Sequence, residues 1–200
     1  MPRQTCTSNL IPAILAIMST DASHIKALLR KAMRIRVAGL TSAEKTAQSE
    51  ILRGLIPPLA GKTCAIFAGT ENEPDLLPLV ELFPDTRWLF PKVTGEGTME
   101  FYPVNSTTEL LRGSFGIREP SEGDPVNPLE IDTIICPGLA FTKNGARLGQ
   151  GGGFYDRFLA QVPQANIYGA CFTEQVVPKL PLDQHDLTVT RVIHSTSFGT

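Results

Sequence analysis

From residue 23 onward the chain alternates between two hydrophobic periods. Ile25, Leu28, Leu29, Ala32 and Met33 recur at the helical period and Gly39 follows them, so residues 23–38 are predicted to form a helix that stops at the glycine. Thr41 and Glu44 have the spacing of a capping box and open a second helix, which Pro57-Pro58 ends. Shorter apolar runs then take over. Residues 63–69 read as a strand, 74–83 as a helix, and 86–93 and 99–104 as strands. Ser106 with Glu109 repeats the capping-box signature over 106–113; residues 131–141 read as one buried strand, 154–162 as a helix and 166–172 as a further strand. Strands alternating with helices imply an α/β fold: a mostly parallel open sheet with helices on both faces, in a single domain. The Pro/Gly-rich stretch 119–128 reads as a surface loop, and no internal repeat is present.

Composition narrows this picture. Two hundred residues with 42% hydrophobic and 19% charged content suit one globular domain with a full core, and no apolar run is long enough to span a membrane. The formal charge of −2 argues against a dedicated nucleic-acid binder. That average hides a basic segment, since residues 1–55 carry eight Lys/Arg against three Asp/Glu. A basic segment on an acidic body points to a local anion site. Cys6, Cys64, Cys136 and Cys171 lie far apart, with no C-x-x-C pair, and three of them sit in strand-like runs. Buried, reduced thiols in a cytoplasmic protein are therefore expected. The apolar stretch Leu10 to Met18 is interrupted by Pro12 and makes a poor signal peptide. Residues 1–22 read as an N-terminal extension, unstructured or preceding the true start, with residues 23–200 as the catalytic domain.

The strongest chemical signal is "NGARLGQGGGFYDRF" at 144–158, where Gly149, Gly151, Gly152 and Gly153 run into Phe154-Tyr155-Asp156. Such a run costs conformational entropy, so the backbone there either forms a tight connection or must approach something closely. Its place between a buried strand and a helix suits a phosphate cradle, because ligands bind at the carboxyl ends of parallel strands. It matches neither G-K-[ST] nor G-x-G-x-x-G. Asp156 could complement the helix start or hold Mg²⁺. Arg147 could pair with phosphate or with a structural carboxylate. Lys26, Arg30 and Arg34 fall on one helix face with no acidic residue among them, which is either a solvated face or an anion site.

These residues resemble the 5-formyltetrahydrofolate cyclo-ligase family, from about residue 23 to residue 195. "PGLAFTKNGARLGQGGGFYDRFL" (137–159) looks like that family's P-G-x-x-F-D-x-x-G-x-R-L-G-x-G-x-G-[YF]-Y-D, and "KALLR", "FPKV", "MEFYPV", "FGIREP" and "PLDQHD" follow the family's order. The resemblance implies a NagB/RpiA/CoA transferase-like sheet and the conversion of 5-formyltetrahydrofolate with MgATP into 5,10-methenyltetrahydrofolate, ADP and phosphate. Carried over by position, Lys26, Arg30, Arg147 and the loop Gly149, Gln150, Gly151, Gly152, Gly153, Phe154 and Tyr155 would hold ATP, with Arg147 and Tyr155 catalytic. Ala68, Glu73 and residues Gln150–Phe154 would contact the folate, polyglutamylated forms included, and Asp156 and Asp186 would hold Mg²⁺. Phe101 and Tyr102 are candidate walls for a flat heterocycle. A monomer without nucleic-acid or membrane partners is implied. Thr142, Leu76 and Thr190 depart from the family's usual Asp, Thr and acidic residue. A non-catalytic binding paralogue of the same fold is the competing expectation.

Overall fold

The computed structural model describes Ile11, residues 22–183 and residues 186–196. Two long helices come first, α1 (Ala22–Ala38) and α2 (Ser42–Leu55), followed by β1 (Thr63–Ala65), a short α3 (Leu79–Leu82), β2 (Arg87–Gly95) and β3 (Thr98–Pro103). Then come β4 (Leu110–Arg112), β5 (Arg118–Pro120), β6 (Thr133–Cys136), β7 (Ala140–Phe141), β8 (Arg147–Leu148), α4 (Phe154–Leu159), β9 (Asn166–Ala170) and β10 (Arg191–Ile193). Six strands form one sheet in the order β10-β9-β6-β1-β2-β3. Every pairing is parallel except β2–β3, a hairpin at the edge. The alternating pattern of the sequence is thus realised as a mostly parallel α/β sheet.

Successive strand residues serve opposite faces, as the pleat requires. Cys64 and Ile66 join Leu52 and Ile56 from the α2 side in one core cluster, whereas Ala65, Ile134 and Cys136 join Phe158 and Leu159 of α4 in another. Helix α1 packs elsewhere: Ile25, Leu29 and Met33 meet Leu139, Ala140 and Leu148 of the β7–β8 hairpin. That third cluster brings α1 beside the glycine loop. The expectation for residues 1–22 lies, Ile11 and Ala22 apart, outside the described residues. Ile11 itself is buried in the α1 cluster.

Four expectations are corrected in detail. The stretch 74–83 is helical only at Leu79–Leu82, because Pro74 and Pro78 cannot donate to a longer ladder. Residues 106–113 keep the capping box at Ser106 and Glu109, but it closes a 3-10 turn that runs straight into β4. The run 131–141 is two strands: the chain breaks at Pro137-Gly138 between β6 and β7. Strands β5 and β10 fall outside every predicted element, being only three residues each.

The capping box at α2 is complete, with Glu44 N donating to the Thr41 hydroxyl and Thr41 N to the Glu44 carboxylate. Thr41→Ala is expected to lower stability by about 1 kcal/mol, read from denaturant unfolding. Cys64, Cys136 and Cys171 are free and buried, as expected, while Cys6 lies outside the described residues. Burial pushes the Cys136 thiol up to about 11 and holds the other two higher still. None of the three is a nucleophile at neutral pH.

Candidate active site

Strand order reverses between β1 and β6: the chain runs from β1 towards the β2–β3 edge and from β6 towards β9 and β10. A crevice opens at such a switch point, outside the carboxyl ends of the two strands. Here it is a cavity of about 760 Å³. Phe67 and Ala68 follow β1 into its wall, and Pro137 and Gly138 follow β6. Lys26, Arg30, Ala68, Glu73, Arg147, Gly149 to Asp156 and Asp186 all line it. Every residue that the resemblance assigned to ATP, folate or Mg²⁺ therefore lines one cavity. Phe101 and Tyr102 do not line it: Phe101 is a core residue packed edge-on to Tyr155 and against Phe158, and Met99 reaches the cavity from β3 instead.

The glycine loop is positioned from both ends. Before it, β7 and β8 form a hairpin whose turn is closed by Thr142: its N donates to Ala146 O at 2.9 Å and its hydroxyl accepts from Ala146 N at 3.1 Å. Thr142 is buried, so the hydroxyl makes the turn's bond without burying a carboxylate charge. The departure from the family's Asp thus keeps the loop's geometry. Leu76, the second departure, is fully buried in the core beside α2, and Thr190 is exposed. Gly145 in the same turn has φ +88°, and a Cβ there would lie 2.1 Å from Val189 O. Only glycine fits that position.

Three arginines hold the loop itself. Arg30 Nε donates to Gly149 O at 3.0 Å, Arg34 Nη2 to Gln150 Oε1 at 2.8 Å, and Arg157 Nη2 to Gly152 O at 2.5 Å. Gly151 and Gly153 take positive φ, +108° and +68°, which turns the chain into α4. Among the described residues, the backbone N–H groups of Gln150, Gly151, Gly152 and Gly153 find no acceptor, and all four residues line the cavity. Consecutive N–H donors of this kind form an anion-binding concavity.

Beneath the loop sits a buried charge. The Arg147 side chain is 4% exposed; Nη2 donates to Asp156 Oδ1 at 2.7 Å and Nη1 to Pro137 O at 3.3 Å. Its guanidinium lies 5.6 Å from the Tyr155 ring centroid. Arg147 Nε and the Tyr155 hydroxyl are buried without a hydrogen-bond partner. Burial above all pushes the Tyr155 phenol well above its ordinary value, so it remains a neutral donor. Asp156, expected to cap α4 or hold a metal, is paired with Arg147.

Lys26 has carboxylate partners that its own helix lacks. Its ammonium donates to Asp183 Oδ2 at 2.7 Å and to Asp186 Oδ2, which also accepts from Asp183 N. Lys26 on the basic face of α1 is therefore buried and paired, which corrects the reading of that face as merely solvated, while Arg34 remains exposed. Burial opposes the charged forms of Lys26 and Asp186, but hydrogen bonds and charge outweigh it: the Asp183 and Asp186 carboxylates raise Lys26, and Asp183 N and Lys26 lower Asp186. Asp186 then contributes stability above its ordinary 3.8 that is lost as pH falls through its lowered value. Lys26 contributes below its ordinary 10.5 and loses that contribution as pH rises through its raised value. In metal-free protein the stability difference between wild type and Lys26→Met is expected to be flat between these limits and to shrink outside them. Denaturant unfolding across pH measures it.

Among the described residues there is no group of three or more His, Cys, Asp or Glu able to hold a metal ion. Asp156 and Asp186 are the acidic side chains the sequence marked, and both reach the cavity. One or two carboxylates suit Mg²⁺ carried by a nucleotide, which takes its other ligands from phosphate and water. Asp183, whose part in the Lys26 clamp the sequence reading missed, had a signal in its spacing three residues before Asp186.

A switch-point cavity lined by a glycine-rich loop, cationic side chains and carboxylates places this chain among α/β proteins with a polar ligand site at the carboxyl ends of the strands. The 5-formyltetrahydrofolate cyclo-ligase family model matches residues 22–195, and the chain belongs to that family. It is 28% identical to the 5-formyltetrahydrofolate cyclo-ligase of Mus musculus over 188 residues, covering 84% of this chain and 93% of that protein. It is 32% identical to the enzyme of the same name from Escherichia coli K12 over 145 residues, covering 68% and 80%. Among solved structures, the 5,10-methenyltetrahydrofolate synthetase of Aquifex aeolicus superposes with a TM-score of 0.75 at 35% identity, covering 84% of this chain and 88% of that one.

Proposed function

We propose that this chain converts 5-formyltetrahydrofolate and MgATP into 5,10-methenyltetrahydrofolate, ADP and phosphate. The observation that carries the reading is the row of four residues, Gln150 to Gly153, whose N–H groups find no acceptor among the described residues and which line one cavity with Lys26 and Arg30. A formamide oxygen is a poor leaving group, and phosphorylation by ATP converts it into a good one. The formyl oxygen attacks the γ-phosphorus as ADP departs. N10 then attacks the activated carbon, phosphate leaves with the former formyl oxygen, and N10 gives up its proton. The reaction needs positioning and charge neutralisation and uses no protein nucleophile.

The roles follow from the geometry. Gln150 to Gly153 present N–H donors to the phosphates, and Lys26 and Arg30 add positive charge from α1. Arg147 holds Asp156 and the loop from beneath, and the neutral Tyr155 hydroxyl is poised to donate once ligand or water meets it. Mg²⁺, held by Asp156 and Asp186, would neutralise phosphate charge. Ala68 and Glu73, at the end of β1, flank the folate. Asp156 also pairs with Arg147 and Asp186 with Lys26, so the metal would share both carboxylates with these cations. Residues 23–200 form the catalytic domain. The buried thiols suit a reducing cytoplasm, and among the described residues no helix is long and apolar enough to cross a membrane. We place the enzyme there as a monomer.

Phosphate release tests this. With 5-formyltetrahydrofolate present, one ADP and one phosphate are expected for each folate consumed. ADP formation at the same rate without folate would overturn the reading.

A further inference from the structure

The cavity lining has two chemically distinct parts. Lys26, Arg30 and the glycine loop line one, with Asp183 and Asp186 paired to Lys26. The other comes from β2, β3 and the β4–β5 ribbon, and there Pro91, Val93, Met99 and Ile117 present apolar surface around a further carboxylate, Glu119. Glu119 lies opposite Leu111 in the β4–β5 pairing and is half-buried. The close approach of Gly113 makes room for its side chain: a Cβ on Gly113 would come within 2.3 Å of Glu119 Oε2. Among the described residues the Glu119 carboxylate has no cationic partner, and its sole donor is Val93 N, at 3.4 Å from Oε1. By contrast Glu73, the carboxylate marked by sequence for the folate, accepts from Thr70 N and the Thr70 hydroxyl, both at 3.0 Å on Oε2.

A half-buried carboxylate with one long hydrogen bond, set among apolar side chains, is matched by a ligand that brings donors. We propose that Glu119 is a specificity-determining residue, accepting the paired N–H donors of the pterin head, N3–H and the 2-amino group. This rests on the folate reading above. Two parallel donors match the two oxygens of a carboxylate, whereas the edge of adenine alternates donor with acceptor and sets a lone pair against one of them. Charge gives the same orientation: a triphosphate avoids Glu119 and is drawn to Lys26 and Arg30. Glu119 therefore fixes which ligand takes which part of the cavity.

The test is calorimetric titration of wild type and Glu119→Gln with 5-formyltetrahydrofolate and, separately, with MgATP. The thermal midpoint serves as the fold control. Glu119→Gln is expected to weaken folate binding by about 10- to 100-fold, the scale of one charge-assisted hydrogen bond, and to leave ATP binding unchanged. A second probe pair compares a simple pterin with the lumazine that carries a 2-oxo group in place of its 2-amino group. Wild type is expected to prefer the pterin. Glu119→Gln is expected to prefer the lumazine, because the amide offers one acceptor to N3–H and one donor to the 2-oxo group. Unchanged folate affinity, an equal loss of folate and ATP, or an unaltered pterin preference would each overturn the assignment of Glu119. Absence of folate binding to wild type would instead remove the functional reading on which it stands.

Discussion

Exchanging Asp156 for asparagine is expected to cut turnover by about 10²-fold or more, the scale of a key electrostatic contact, and to destabilise the fold as well. Both effects come from the same atom. Asp156 Oδ1 accepts from Arg147 at 2.7 Å, and the Arg147 side chain is only 4% exposed. Asparagine keeps the shape but leaves a buried guanidinium without its counter-charge. Breaking a buried pair from one side costs about 3–5 kcal/mol, and the lower end applies because the Asp156 side chain keeps 30% exposure. Catalytic loss follows separately, since the carboxylate that would meet Mg²⁺ is gone. The double variant Arg147→Met/Asp156→Asn separates them: without a stranded charge, it should regain most of the stability and remain inactive. Steady-state kinetics and urea unfolding on wild type and the two variants measure this. Near-normal turnover by Asp156→Asn would remove it from the metal site.

Lys26→Met is expected to raise the KM for ATP by about 10- to 100-fold, as for loss of one charge-assisted hydrogen bond, with a much smaller effect on the KM for folate. Lys26 lines the cavity, on a helix held to the loop by Arg30 and Arg34. The substitution also leaves Asp183 and Asp186 facing each other without a cation, which repels the triphosphate further. Lys26→Arg should recover part of the affinity. An ATP dependence equal to that of wild type would confine Lys26 to a structural clamp.

The molecule shows what a single sequence can and cannot disclose. The glycine loop, Arg147 and Asp156 were legible because the residues that mark them are contiguous, from β8 through the loop into a six-residue helix, although Arg30 and Arg34 brace that loop from 119 and 116 positions away. The alternation of elements was legible for the same reason, as was the capping box at Thr41. The partners of Lys26 were not, since Asp183 and Asp186 lie 157 and 160 positions away and only the fold joins them. Glu119 was hidden too. It fell in a Pro/Gly-rich stretch that reads as loop, and a three-residue ribbon strand carries too few side chains to show a period. Pro137 explains the split of the predicted strand 131–141, a break that apolar periodicity overlooks because both halves are buried. Phe101 failed differently: it shares a face of β3 with Met99, but two positions further along that face it packs against Tyr155 and Phe158 and not into the cavity.

Absorbance on mixing the purified chain with 5-formyltetrahydrofolate, ATP and Mg²⁺, with ATP omitted as control, goes most directly to the proposed chemistry. The methenyl product contains a conjugated amidinium that the substrate lacks. A new long-wavelength band should therefore grow only when ATP is present, and grow faster than in Asp156→Asn. If both ligands bind and no band appears, or if it appears equally without ATP, the cavity is not the site of an ATP-driven cyclisation.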